Sequence, residues 1–452
     1  MLFFLFMVTA ISCFVFVPTV PASPPLLKQS IIEYNLKYYE KSLSDGTYRG
    51  DEGILLLGPE VARSLGLKAV VDNDYTAAKA LDRKAGSLFS KAVQAMGVPQ
   101  NETSALGHAK RVGELALARH EALRAAREHL LTYRSRLSPK VDDRLNQDLC
   151  STLLEKLLER SLKDASYNLR DGLGRFYNQC QGFPKNSAPL RPVNVKFVNY
   201  VFSEFTTKAS EEAKKQFDLD KQKDWWSTPG ASWKDLEKAG SSLSISILEL
   251  LFRLREKADY KVDPLLFIAL MRRESNFDPD AVSYVGAAGL TQIMPETAKH
   301  LGMKGIYMPP YFEEAVSLMG RERKLRRRAI ALISEISRKE MLKQAKLACE
   351  LMLESIACRS KRSKLFARYR TELLKKTGDD RLKPEEAVIY GYRYFSDMMK
   401  MQRGDISLAL ASYNAGPHRV KEYNGIPPYA ETVTFRNRVL EYYRGYLRRQ
   451  NR

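Results

Sequence analysis

Between Tyr75 and Ser138, alanine, leucine, arginine and glutamate recur at three- and four-residue spacing, as in Leu115-Ala116-Leu117-Ala118-Arg119-His120-Glu121-Ala122-Leu123. That period commits the region to helices rather than strands. It breaks once, at Gly97-Val98-Pro99-Gln100-Asn101. A second helical block runs from about Val141 to Asn178, a loop from Gly182-Phe183-Pro184 to Pro192, and one amphipathic helix from about Val195 to Phe217. Residues 24 to about 70 mix apolar and turn-like segments with low periodicity. The turn Trp225-Trp226-Ser227-Thr228-Pro229-Gly230 leaves its paired tryptophans open between core and sugar platform. These blocks predict a mainly α fold in which residues 23–243 form a helical N-terminal region, without an evident repeat period and without a legible task.

The chemistry is concentrated further along. Pro264-Leu265-Leu266-Phe267-Ile268-Ala269-Leu270-Met271 has proline at a first helical position and enough aliphatic surface for a core helix. Glu274 then falls in the last turn. The partial negative charge of a helix end and the apolar body beside it both disfavour a carboxylate, so the pKa of Glu274 is expected to rise. An acid that stays protonated near neutral pH can protonate a leaving-group oxygen and afterwards act as a base, as cleavage of a glycosidic bond requires. Gly286-Ala287-Ala288-Gly289-Leu290-Thr291-Gln292-Ile293-Met294-Pro295 adds two glycines for close backbone approach and an amide that donates and accepts. Ser412-Tyr413-Asn414-Ala415-Gly416-Pro417 ends a helical stretch with a phenol, an amide and a Gly-Pro stop. Tyr, Asn and Gln around one acid make a carbohydrate site. A two-carboxylate hydrolase would need a partner such as Asp278, Asp280 or Glu296, but Asp278 before Pro279 reads as a helix-ending turn and Glu296 after Pro295 as a first-turn acid.

Four ordered segments carry a resemblance: Glu274-Ser275-x-Phe277, Gly289-Leu290-x-Gln292-Ile293-Met294-Pro295-x-Thr297-Ala298, Ala409-Leu410-Ala411-Ser412-Tyr413-Asn414-Ala415-Gly416-Pro417, and Tyr429-Ala430-Glu431-Thr432-x-x-Phe435-x-x-Arg438-Val439. Together they resemble the lytic transglycosylases of the soluble type, related in fold to goose-type lysozyme. The resemblance implies a lysozyme-like α-helical catalytic domain over 244–448 with Glu274 as the single acid/base. It also implies Ser275, Gln292 and Met294 along a glycan cleft, Tyr413 and Asn414 on its wall, and Glu431 against the muramoyl unit. The implied reaction is non-hydrolytic. Glu274 would protonate the oxygen between N-acetylmuramic acid and N-acetylglucosamine, then deprotonate the muramoyl 6-hydroxyl as it closes a 1,6-anhydro ring. Thr291 stands where the family commonly has Met, Ser412 where it has Ala, and Phe435 where Tyr is common, which bears on subsite preference. A lysozyme-like muramidase and a non-catalytic wall-binding scaffold are the competing readings.

After Leu301-Gly302-Met303 the family pattern pauses and resumes near Leu382-Lys383-Pro384. The intervening insertion, about 304–381, carries 20 Lys and Arg against 10 Asp and Glu, half of the chain's formal excess of +20. Its Leu, Ile and Ala spacing predicts two or three helices packed beside the cleft, either gripping anionic glycan or peptide stems or simply solvated. Residues 1–22, with the apolar run Leu2 to Val17 and the small residues Val20 and Ala22 before Ser23, read as a signal peptide or uncleaved anchor, with Cys13 as a weaker lipidation candidate. An exported basic protein is expected to meet peptidoglycan, anionic envelope polymers or a membrane surface in the periplasm or cell envelope, and not nucleic acid. In an oxidising compartment Cys150 with Cys180 and Cys349 with Cys358 become candidate pairs, the second only if a turn separates them. No Cys/His cluster has metal-ligand spacing, and neither a metal nor another cofactor is expected.

Overall fold

A computed structural model describes residues 24–98, 102–222, 233–376 and 378–450; the leader, Cys13 and the Trp225-Trp226 pair lie outside the described residues. Among the described residues all regular structure is helical, and strand pairing is confined to isolated bridges. The N-terminal half holds α1 (Pro25–Ser44), α2 (Pro59–Ser64), α3 (Asn73–Met96), α4 (Glu102–Ser135), α5 (Gln147–Asp164), α6 (Leu169–Cys180), α7 (Val195–Lys208) and α8 (Glu211–Lys215). The C-terminal half holds α9 (Trp233–Ala239), α10 (Ile245–Lys257), α11 (Pro264–Ser275), α12 (Pro295–Leu301), α13 (Pro310–Ser334), α14 (Met341–Leu373), α15 (Pro384–Met401), α16 (Ile406–Ala415), α17 (Pro417–Glu422) and α18 (Ala430–Gln450). The mainly α expectation therefore holds.

Two local expectations change. The weakly periodic start of the chain is a 20-residue helix, α1. Its buried stripe contains Ser30 and Asn35 beside Leu27 and Ile31, and those polar side chains hide the period because their partners are backbone carbonyls, of Leu26 and Ile54. The helix expected from Val195 to Phe217 divides at Ala209–Ser210, where the Ser210 hydroxyl accepts from the Ala213 N–H and starts α8.

α11 is the axis of the C-terminal half. Every residue from Pro264 to Met271 is buried, wrapped by side chains of α10, α15, α16 and α18. A helix apolar on all sides has to be enclosed in this way. A second core lies under α1, α5, α6 and α7 and takes in Ala411, Val420, Ile426 and Val433 from the other half. Buried ion pairs join the halves: Arg170 meets Asp220 at 3.0 Å and Asp405 at 2.8 Å, and Arg436 meets Asp171 at 2.5 Å and Asp220 at 3.1 Å.

The basic insertion is the antiparallel hairpin α13–α14. Its outer part packs against the α3–α4 hairpin, with Ala92, Met96 and Val112 meeting Ile333, Ala345 and Met352. Only its base, Phe312, Phe366, Tyr369 and Leu373, reaches the loop that carries Ala288 and Met294. None of the candidate disulfides forms. Cys150, Cys180, Cys349 and Cys358 are buried free thiols, and α14 runs unbroken through Cys349 and Cys358, without the turn that pairing needs. Among the described residues no helix is long and apolar enough to cross a membrane.

Candidate functional site

The Asp263 carboxylate caps α11 by accepting from the Leu265 N–H at 2.9 Å, with Pro264 in the first turn. The other end stops abruptly, since Asn276 and Phe277 both take left-handed backbone, φ 53° and 68°. Two such residues cost on the order of 1–3 kcal/mol each. Ser275 helps hold them, because its buried hydroxyl donates to the Leu290 carbonyl at 2.9 Å and accepts from the Phe277 N–H at 3.1 Å. Ser275 is therefore committed inward and fastens the helix end to the Gly289 loop. Glu274, the residue before it, keeps part of its surface open.

The Gly289 loop is held from the far side of the insertion. Gly289 has φ +78°, and a Cβ there would lie 1.7 Å from the Arg381 carbonyl oxygen, so only glycine fits. Arg381 is fully buried, paired with Asp379 at 2.7 Å, and donates to Tyr369 at 2.8 Å and to the Gly286 carbonyl at 3.1 Å. Gln292, with φ 49°, donates from Nε2 to the carbonyls of Ala281 and Gly289 at 2.9 and 3.0 Å, which fixes the orientation of its amide. Met294 packs half-buried against the base of the insertion.

α16 brings the opposite wall. The Tyr413 hydroxyl donates to the Thr291 carbonyl at 2.7 Å, and its ring lies 5.2 Å from Tyr394 and 5.9 Å from Phe395. Asn414 accepts from the Thr432 hydroxyl at 2.8 Å, tying this wall to the first turn of α18, where Glu431 is exposed.

The electrostatics single out Glu274. Burial of its carboxyl, opposed by Arg273 and reinforced by the negative charge of Glu431, pushes its pKa up to about 8. No hydrogen bond or ion pair among the described residues engages that carboxyl, which leaves its proton available. Burial, with the nearby Glu274 charge adding to it, also raises the Tyr413 phenol well above its ordinary value, so Tyr413 stays a neutral donor. The site thus combines one neutral acid with fixed amides and a phenol. Arg273 and Thr432 had no role assigned from the sequence, although both stand beside assigned residues.

The family model described as "Transglycosylase SLT domain" matches residues 253–315 and 362–432. The chain carries a transglycosylase SLT domain. Its model leaves 316–361 unmatched, the outer part of the α13–α14 hairpin. A curated protein called "Transglycosylase" of Enterobacteria phage PRD1 is 46% identical over 52 residues, 12% of this chain and 20% of that protein; the match spans about a fifth of that relative's length. Among solved structures, an inactive mutant of lytic transglycosylase Slt from Pseudomonas aeruginosa is 18% identical with TM-score 0.27, covering 94% of this chain and 72% of that one. The 70 kDa soluble lytic transglycosylase of Escherichia coli is 19% identical with TM-score 0.28, covering 93% and 70%. The three departures from the family pattern all point inward. Thr291 is buried and donates to the Ala387 carbonyl at 3.0 Å, Ser412 is buried and accepts from Gln402 at 3.0 Å, and Phe435 belongs to the core around α11.

Proposed function

We propose that this protein is a peptidoglycan lytic transglycosylase that cleaves the bond between N-acetylmuramic acid and N-acetylglucosamine and leaves 1,6-anhydromuramoyl ends. The observation that carries the reading is the Glu274 carboxyl, unpaired at the end of a buried helix and protonated up to about pH 8. Glu274 gives its proton to the leaving oxygen, and the carboxylate so formed takes the proton of the muramoyl 6-hydroxyl as that oxygen attacks the anomeric carbon. One carboxyl therefore serves both half-steps. Gln292, Asn414 and Tyr413 orient the sugars, Met294 offers an apolar wall, and Glu431 reaches the muramoyl side while holding the Glu274 proton more tightly. Ser275 acts by positioning the helix end.

The substrate places the protein at the cell envelope, where its basic hairpins suit anionic wall polymers or lipid head groups. Digestion of purified sacculi, with mass spectrometry of the released muropeptides, tests the reading: 1,6-anhydro ends from the natural protein and none from Glu274→Gln support it. A hydrolytic second reading is favoured by the proximity of a second carboxylate, Glu431. Reducing-end muramic acid among the products would establish that reading instead.

A further inference from the structure

The chain runs through one succession of elements twice. Gly53-Ile54-Leu55-Leu56-Leu57-Gly58-Pro59-Glu60-Val61-Ala62-Arg63-Ser64-Leu65-Gly66-Leu67-Lys68 aligns with Gly289 through Lys304 at a constant offset of 236, with 7 of 16 residues identical. The backbones agree: Leu56 and Gln292 have φ 50° and 49°, Gly66 and Gly302 have φ 89° and 85°. Each segment enters a short helix at its proline, α2 or α12, and then a long helical hairpin, α3–α4 or α13–α14. Each hairpin leads into Asp-Asp-Arg-Leu, at Asp142-Asp143-Arg144-Leu145 and at Asp379-Asp380-Arg381-Leu382.

Most of the buried hydrogen bonds around these two motifs correspond, although Arg144 also donates to the Leu57 carbonyl at 3.0 Å. Arg144 engages Asp142, Tyr133 and, at 2.8 Å, the Gly50 carbonyl. Arg381 engages Asp379, Tyr369 and, at 3.1 Å, the Gly286 carbonyl. Tyr133 and Tyr369 each donate at 2.9 Å, to the carbonyls of Val70 and Tyr307. The 18-residue helices α5 and α15 follow, then α6 and α16, and Val195-x-Phe197-x-x-x-Val201 of α7 matches Val433-x-Phe435-x-x-x-Val439 of α18. Hydrophobic periodicity alone does not reproduce a polar network of this kind. Residues 25–208 therefore repeat the succession of elements of residues 264–450, hairpin included.

The second copy lacks the acid. Asn35 donates to the Ile54 carbonyl at 2.9 Å, as Ser275 donates to the Leu290 carbonyl at 2.9 Å, so the preceding residue, Tyr34, stands where Glu274 stands. Leu56 replaces Gln292. Rings take over the place: Tyr34 lies 5.3 Å from Phe197 and 5.4 Å from Tyr200, and Tyr177 lies 5.3 Å from Phe197. Phe197 is the buried floor; Tyr34 and Tyr177 are half-buried on it, Tyr200 is half-buried beside Tyr34, and Tyr38, one turn beyond Tyr34, is 53% exposed. Half-exposed phenols offer an apolar face and a hydrogen-bonding rim together. A pyranose ring is the same combination, with an apolar C–H face and a hydroxyl and acetamido rim.

We propose that this acid-less copy holds a β-linked N-acetylhexosamine glycan on Tyr34, Tyr38, Tyr177 and Tyr200, so that the protein grips glycan at a second place without cutting it there. The choice of sugar rests on the glycan-cleaving reading of the SLT domain. Titration calorimetry of the full chain carrying Glu274→Gln with chitohexaose, a soluble β-1,4 N-acetylglucosamine hexamer, is expected to show two binding events. Tyr38→Ala with Tyr200→Ala should weaken one of them about tenfold or more, whereas Tyr38→Phe with Tyr200→Phe, which keep the rings, should largely retain it. Asn414→Ala with Glu431→Gln should weaken only the other. Thermal unfolding of each variant separates lost binding from lost fold. An isotherm that the alanine pair leaves unchanged in a folded protein, or a single event that the cleft variants alone remove, overturns the platform. Tyrosine-dependent binding in a protein that releases no muropeptide from sacculi would support the platform and sink the enzymatic reading.

Discussion

The proton on Glu274 sets the pH behaviour expected of the site. With its pKa raised to about 8 by burial, the acid is available below that pH and lost above it. kcat/KM on sacculi is therefore expected to fall about tenfold per unit above pH 8. Glu431→Gln removes a negative charge that raises this pKa, so the alkaline limb should move down, by less than about one unit. Stability follows the same linkage. Between its ordinary value and about 8 the folded protein binds the Glu274 proton more tightly than the unfolded chain does, so stability drops as pH rises through that window. Glu274→Gln should accordingly be more stable than the natural protein at pH 9, by about 2–4 kcal/mol, and about equal at pH 4, as urea unfolding at the two pH values would show. The same variant should release muropeptides at least about 100-fold more slowly. The place of Glu274 in the last turn of a buried apolar helix was legible from spacing, whereas its assignment as the acid rested on the neighbouring motifs and the family resemblance. The inward duty of Ser275 was not, since a hydroxyl beside an acid looks the same whether it faces the substrate or a backbone carbonyl fifteen residues away.

At the scale of the elements, the Gly289 loop depends on contacts that belong to the insertion. Gly289→Ala would force a Cβ into the Arg381 carbonyl at a left-handed φ, and should cost about 3 kcal/mol or more in denaturant unfolding. Arg381→Met leaves Asp379 as an uncompensated buried charge, with an expected loss of about 3–5 kcal/mol. It should also slow muropeptide release at temperatures where the variant is still folded, because Gln292 and Met294 lose their support. The helices of the hairpin were readable from their Leu, Ile and Ala spacing. What they pack against was not, because an apolar stripe states that a helix face is buried without naming the face that covers it.

For the whole molecule, the two hairpins together carry charge and core. Helices α3, α4, α13 and α14 hold 24 Lys and Arg against 12 Asp and Glu, while their shared interior is apolar. Deleting 316–361 would uncover Ala92, Met96 and Val112, so hydrogen exchange of α3 and α4 is expected to accelerate even though the SLT core is untouched. Exchange left unchanged would show that the N-terminal hairpin stands alone. The exposed run Arg326-Arg327-Arg328 is expected to contribute to binding of anionic vesicles, and replacing all three with Glu should weaken that binding several-fold at low salt and much less at high salt.

Local pattern sufficed for what local physics controls. Periodicity determined the helical class, the position of α11 and the acid at its end, and the ordered motifs located the SLT domain and its interruption. Tertiary structure alone decided that the thiols of Cys349 and Cys358 stay apart on one unbroken helix and that the insertion lies on a matching hairpin. In the sequence the repeat shows only in short stretches, Gly53 to Lys68 against Gly289 to Lys304 and the two Asp-Asp-Arg-Leu motifs, while the positions that correspond to Glu274 and Gln292 hold Tyr34 and Leu56. What survives is a set of buried bonds between residues such as Arg144 and Gly50, or Arg381 and Gly286, about 95 positions apart along the chain. Long-range pairing of that kind leaves no hydrophobic period to read, and folding is what brings the partners together.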